Sequence, residues 1–140
     1  MYKKIIVPIA MDKLEHGEKT LERAQSLLDD GGEIILLNVV EDLNAYAQGY
    51  MIVDFPLEVM DESRKQATQT LTELKEKHNI NGRVEIRIGG AAGVINAFAE
   101  EEKADLVIIA SHHPGLIDYF IGSTASRVVS HCVCAVLVDR

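Results

Sequence analysis

The residues of this chain best suited to chemistry stand near its end, in two groups. Ser111, His112 and His113 follow an apolar run, and eight residues later come Gly122, Ser123 and Thr124. Ser111 beside His112 has the residue types of a nucleophile and its base. Sequence neighbours rarely face each other, however, and no G-x-S-x-G elbow surrounds the serine. No catalytic residue is expected there. The second group suits a different task. The first N–H groups of a helix have no intrahelical acceptor and carry the positive end of its dipole. Gly122 would let a ligand approach the backbone, and two hydroxyls add donors. That is anion-binding chemistry without a lysine. A plain helix cap at Ser123 or Thr124 accounts for the same residues. A second helix-start loop facing this one would favour the ligand site.

Other chemical signals are sparse. Cys132 and Cys134 form a C-x-C at the last helix-to-strand junction. With His112, His113 or His131 they match no usual zinc spacing, so no metal site is expected. Two residues apart and entering a strand, they read as small buried hydrophobes poorly placed to bridge each other. There is no G-x-x-x-x-G-K-[ST]. The run GGAAG, Gly89 to Gly93, departs from G-x-G-x-x-G and reads as a tight strand-to-helix turn.

The elements that must hold these groups follow from periodicity. Lys3 to Ile9, Glu33 to Val40, Asp105 to Ala110 and Ala135 to Val138 are short apolar runs, as in strands covered on both faces. Arg83 to Ile88 alternates strictly, which predicts one dry and one wet face. Between the strands lie helical stripes. Leu14, Gly17, Leu21, Ala24 and Leu28 form the first, ended by Asp-Asp-Gly-Gly. Leu57, Met60, Ala67, Leu71 and Leu74 form the second, with Arg64 intruding. Val94, Ile95 and Phe98 mark the third, and Ala125, Val128, Val129 and Cys132 the last. The segment from Glu41 to Pro56, with Tyr46, Tyr50 and Phe55, reads as a lid, an association surface or an ordinary loop. Alternation of this kind predicts a five-stranded parallel sheet with helices on both faces. Ligands of such sheets bind beyond the strands' carboxyl ends, where strand order reverses. The loops after the first and fourth strands are the candidates.

Composition narrows the partners. With 140 residues the chain is expected to form one domain, 1–140. Its 22 acidic against 14 basic residues give a net charge of −8, so nucleic acid is not an expected partner. The same charge gives an anionic ligand no long-range steering, and leaves its seat to backbone donors and helix ends. No stretch approaches the roughly 20 apolar residues of a membrane span. The opening MYKKIIVPIAMDK reads as a strand, not a signal, and the protein is expected to be cytoplasmic.

Three segments together resemble the universal stress protein family, in particular its small single-domain F-type branch, over the whole chain. VPIAMD resembles its V-P-x-D start, and ADLVIIASHHP its A-D-L-I-V-x-G-S-H-G segment. GSTASRVVSHCVCAVLV resembles G-S-V-A-x-x-V-x-x-x-A-x-C-P-V-L-V. The last two carry the family signature G-x-x-G, nine residues, G-[ST]. Here Ala110 and His113 take the two glycine positions, the spacer is eight residues, and only Gly122-Ser123 matches intact. Ala10 replaces the acidic residue after the first strand, with Asp12 two positions on, and Ala91 stands where a proline is usual.

The resemblance implies a Rossmann-like (adenine nucleotide alpha hydrolase-like) α/β fold with strand order 3-2-1-4-5. It implies ATP at the switch point, with AMP, ADP and an accompanying Mg ion as variants. Pro8, Ile9, Ala10 and Val39 would surround adenine and ribose. Ile109, Ser111, His112 and His113 would line the middle, and Gly122, Ser123 and Thr124 would hold phosphates. The implied role is a regulatory switch or adaptor in stress response, with little or no hydrolysis. The implied assembly is a homodimer through the last strand. The alternative is a dimeric interaction protein of the same fold that has lost the nucleotide, which Ala10, Ala110 and His113 favour.

Overall fold

Short aliphatic runs and helical stripes build alternating strands and helices, as their periods require. The computed structural model describes residues 1–41, 57–111 and 122–140. Tyr46, Tyr50 and Phe55 of the expected lid or association surface lie outside the described residues, as do His112 and His113. Strand β1 (Tyr2–Pro8) leads through a short 3-10 turn (Met11–Lys13) into α1 (Leu14–Leu27). Then follow β2 (Leu28–Val40), α2 (Leu57–Lys77), β3 (Gly82–Ile88) and α3 (Ala91–Glu102). Strand β4 (Leu106–Ala110), α4 (Ser123–His131) and β5 (Ala135–Asp139) complete the series. The five strands form one parallel sheet in the order β3-β2-β1-β4-β5. Among the described residues no helix is long and apolar enough to cross a membrane.

Each strand sends alternate side chains to opposite faces, so the sheet carries two cores. Ile5, Val7, Ile34, Leu36 and Ile108 pack beneath Leu21 and Ala24 of α1 and Leu71 and Leu74 of α2. Ile6, Ile35, Leu37, Val107 and Ile109 pack on the other face, beneath Ile95 and Phe98 of α3 and Ala125 and Val128 of α4. Asp105 fixes the start of β4 against β1. Its Oδ2 accepts the N–H groups of Lys3 and Lys4, both at 2.9 Å. Those two bonds hold its carboxyl below the usual carboxylate range.

Several local expectations change. The first helix ends at Leu27, and Leu28 opens β2 opposite Tyr2. The next pair is Lys4 with Glu33, so the Asp-Asp-Gly-Gly stretch bulges out of the ladder, with Gly31 at a φ of +79° that favours glycine. Arg64 faces solvent from α2, so it does not interrupt the buried stripe. Val129 is 47% exposed, because the short α4 buries only Ala125 and Val128 deeply.

The wet side of β3 is not simply wet. There Arg83 pairs with Glu102 of α3 and, at 3.3 Å, with Glu85. Lys4 reaches both Glu33 and Glu102 at 3.4 Å. The Arg83 guanidinium is the main reason the Glu102 carboxyl lies below its ordinary range. Arg87 lies 4.9 Å over the ring of Phe98.

Candidate functional site

Strand order reverses between β1 and β4. From β1 the chain first builds outward to β2 and β3, then returns to add β4 and β5 on the other side. The loops leaving β1 and β4 therefore part, and a crevice opens between them. A cavity of about 340 Å³ lies there. That is within the range of roughly 300–1,000 Å³ common for small-molecule sites.

Nine of the residues singled out from sequence come together on its walls. Pro8, Ile9 and Ala10 border it from the end of β1, and Val39 from the end of β2. Ile109 and Ser111 border it from β4, and Gly122, Ser123 and Thr124 from the start of α4. The expected loops after the first and fourth strands thus face one space.

Local bonding explains the shape. Past Pro8 the ladder continues for one bond, from the Ile9 N–H to the Leu37 carbonyl at 2.8 Å. The buried Asn38 side chain then donates to the Ile9 carbonyl, also at 2.8 Å. Gly17 lets α1 close onto the same corner. A Cβ at that position would stand 2.7 Å from Ile9 Cγ2. The apolar wall formed by Ile9, Leu37 and Val39 is thereby fixed in place.

Ser111 holds the opposite wall. Its N–H donates to the Asp139 carbonyl at 2.8 Å, and its Oγ accepts the Gly122 N–H at 2.9 Å. A serine hydroxyl that accepts one bond still has its proton to donate. Helix α4 makes its first internal bond from the Ser126 N–H to the Gly122 carbonyl, at 2.9 Å. The amides of Ser123, Thr124 and Ala125 therefore lack intrahelical acceptors. Among the described residues, no side chain caps this helix start. Three amides and the dipole's positive end thus meet the cavity.

Ser111→Ala is expected to leave the buried Gly122 N–H without its acceptor. The cost should be about 1–3 kcal/mol of stability. Urea unfolding measures the loss, and faster hydrogen exchange at the Gly122 amide would locate it.

Two basic residues that the sequence reading did not single out also lie on the wall. Lys13 and His16, from the 3-10 turn and the first turn of α1, border the cavity. Ala91 and Ile95 of α3 also face it. The signal for Lys13 and His16 lay in their place, directly after the β1 loop. Among the described residues, no three His, Cys, Asp or Glu side chains gather as a metal ion would require.

The whole chain, residues 1–140, matches the model of the Universal stress protein family. The chain belongs to that family. Universal stress protein G of Salmonella typhimurium is 31% identical over 145 residues, covering 100% of both chains. Among solved structures, the universal stress protein UspA from Lactobacillus plantarum superposes with a TM-score of 0.76 at 21% identity. That match covers 99% of this chain and 98% of the other. The universal stress protein from Archaeoglobus fulgidus in complex with dAMP gives a TM-score of 0.67 at 17% identity, over 99% of this chain and 98% of that one. At such identities the likeness is one of fold. As a universal stress protein, the chain has the Rossmann-like sheet and the switch-point crevice that its segments implied.

Proposed function

We propose that this universal stress protein binds an adenine nucleotide, ATP foremost, in the switch-point cavity. It would do so as a cytoplasmic regulatory switch or adaptor in stress response, without efficient hydrolysis. One observation carries the reading: a single cavity pairs an apolar wall with three helix amides that have no intrahelical acceptor. Pro8, Ile9 and Val39 offer a slot for a flat base. Ser123, Thr124 and the Ser111 hydroxyl offer donors to phosphate, and Lys13 adds a positive charge at the rim. The described residues thus offer partners for both the base and the phosphates. A fold neighbour that holds dAMP supports the ligand class.

Magnitudes allow it. Micromolar binding requires about 8 kcal/mol. Three or four hydrogen bonds to charged phosphate, at roughly 1.5–3 kcal/mol each, reach that figure before ordering costs. The edge strand β5 adds an assembly. Val136, Leu137 and Val138 are only half-buried there, and a second copy of the chain would cover them.

The test is calorimetric titration of the purified protein with ATP, ADP, AMP and adenosine, beside light scattering at micromolar concentration. The expected result is micromolar ATP binding and a particle of twice the 15.4 kDa chain mass. A dimer that binds none of the four would instead identify a paired scaffold that has lost its nucleotide.

A further inference from the structure

We propose that Cys132 and Cys134 form a reversible dithiol–disulfide pair, a modification site separate from the cavity. Their Sγ atoms lie 3.6 Å apart and share a hydrogen bond. Both thiols are free and half-buried, on the margin of the second core. Spacing alone suggested that the two side chains stand too far apart to react. In a straight strand, positions i and i+2 are separated by about 6.6 Å of rise. This segment is not straight. Helix α4 ends at His131, Cys132 turns extended with φ −69° and ψ 139°, and the chain bends at Val133 and Cys134 before β5 begins at Ala135. The bend brings the thiols together.

Packing explains why a small apolar side chain suits each position, but not why one thiol satisfies the other. The contact also divides the labour of the two sulfurs. Burial first, and the bond to Cys132 second, push the Cys134 thiol up to about 12. Cys134, whose thiol also donates to the Ala135 carbonyl at 3.4 Å, is therefore the poorer source of thiolate, and Cys132 attacks first.

The co-reactant is a low-molecular-weight disulfide such as oxidised glutathione. The Cys132 thiolate attacks one of its sulfurs, forming a mixed disulfide and expelling one small thiolate. Cys134 yields its proton to solvent and attacks the Cys132 sulfur, and the second small thiolate leaves. Two protein thiols are oxidised to one disulfide, and the small disulfide is reduced to two thiols. Closure shortens the 3.6 Å separation to a bond of about 2.05 Å, and the bend already supplies much of the approach. Val133 between them is 65% exposed, so its side chain has room to turn. A ring closed over so few residues is strained and readily reduced, which makes the change reversible.

The test uses the full chain in graded mixtures of oxidised and reduced glutathione, quenched in acid, alkylated and weighed by intact mass. The wild type should lose two hydrogens and all alkylatable thiol, then recover both on reduction. Cys134→Ser should stop at a single glutathione adduct, formed about as fast as the wild type's first step. Cys132→Ser should form its adduct on the order of tenfold more slowly or worse. The proposal fails if the wild type collects glutathione adducts without an internal bridge. Disulfide-linked chains on a non-reducing gel, an unchanged mass in pure oxidised glutathione, or faster reaction of Cys132→Ser than of Cys134→Ser would equally overturn it.

Discussion

Ser123→Asp is expected to strengthen α4 and to abolish phosphate-dependent binding, two effects of opposite sign from one side chain. Ser123 is the exposed first residue of α4, on the cavity wall. A carboxylate there meets the positive end of the helix dipole, worth about 0.3–1 kcal/mol of added stability. The same carboxylate would compete with a phosphate for the same amides. Two unit charges about 4 Å apart repel by roughly 1 kcal/mol in bulk water and roughly 4 kcal/mol near a protein surface. Losing one charged hydrogen bond removes about 1.5–3 kcal/mol more. Together these predict an ATP affinity lower by on the order of 10²–10⁵. Adenosine, which has no phosphate, should bind as it does to the unaltered protein. Calorimetric titration with both ligands, and urea unfolding of the free protein, read the three quantities. Unchanged ATP affinity would move the phosphates away from α4. Equal loss of ATP and adenosine would mean that the cavity itself had closed.

Much of this site was legible because its parts sit at the ends of strongly patterned elements. IIVPI and DLVIIA read as buried strands, so the loops after Pro8 and after Ala110 had to leave the sheet at its carboxyl edge. Strand order was not legible from periodicity. Alternating elements give parallel strands and right-handed crossovers but not the side on which each new strand is added, and the family resemblance supplied that step. Lys13 and His16 were missed because their nearness to α4 depends on how closely α1 packs on Ile9, a contact that Gly17 permits. The α1–β2 boundary moved for a different reason. Leu28 fits a helical stripe by spacing, yet it pairs with Tyr2 once the chain turns, and tertiary pairing overrides local period. For the cysteines, the pattern assumed a strand already under way, whereas the bend at Val133 precedes it.

Phe98→Ala should cost more stability than any ionic substitution on the same face, and the comparison decides what holds α3 in place. Two kinds of contact join α3 to the sheet. One is the lattice of Arg83, Arg87 and Lys4 with Glu33, Glu85, Glu101 and Glu102. The other is the packing of Ile95, Phe98 and Ala99 into the second core. Phe98 is 2% exposed, so truncation removes its burial and leaves a cavity, at about 3–5 kcal/mol. For a chain of this size that lowers Tm by roughly 6–20 °C. Arg87 contributes through its position over the ring and through carboxylates 3.7 Å away, with 38% of its side chain exposed. Such pairs are worth about 1 kcal/mol or less, and the cation–π contact about 0.5–1 kcal/mol. Arg87→Met should therefore lower Tm by only a few degrees, roughly 2–4 °C per kcal/mol. If it matched Phe98→Ala, the ion lattice would be the main attachment. Since Ala91 and Ile95 carry α3's part of the cavity wall, the proposed nucleotide seat would then inherit the lattice's sensitivity to salt. With packing dominant, ATP binding in Arg87→Met should stay within a few-fold of the unaltered protein, while the residual salt dependence reports the phosphates alone.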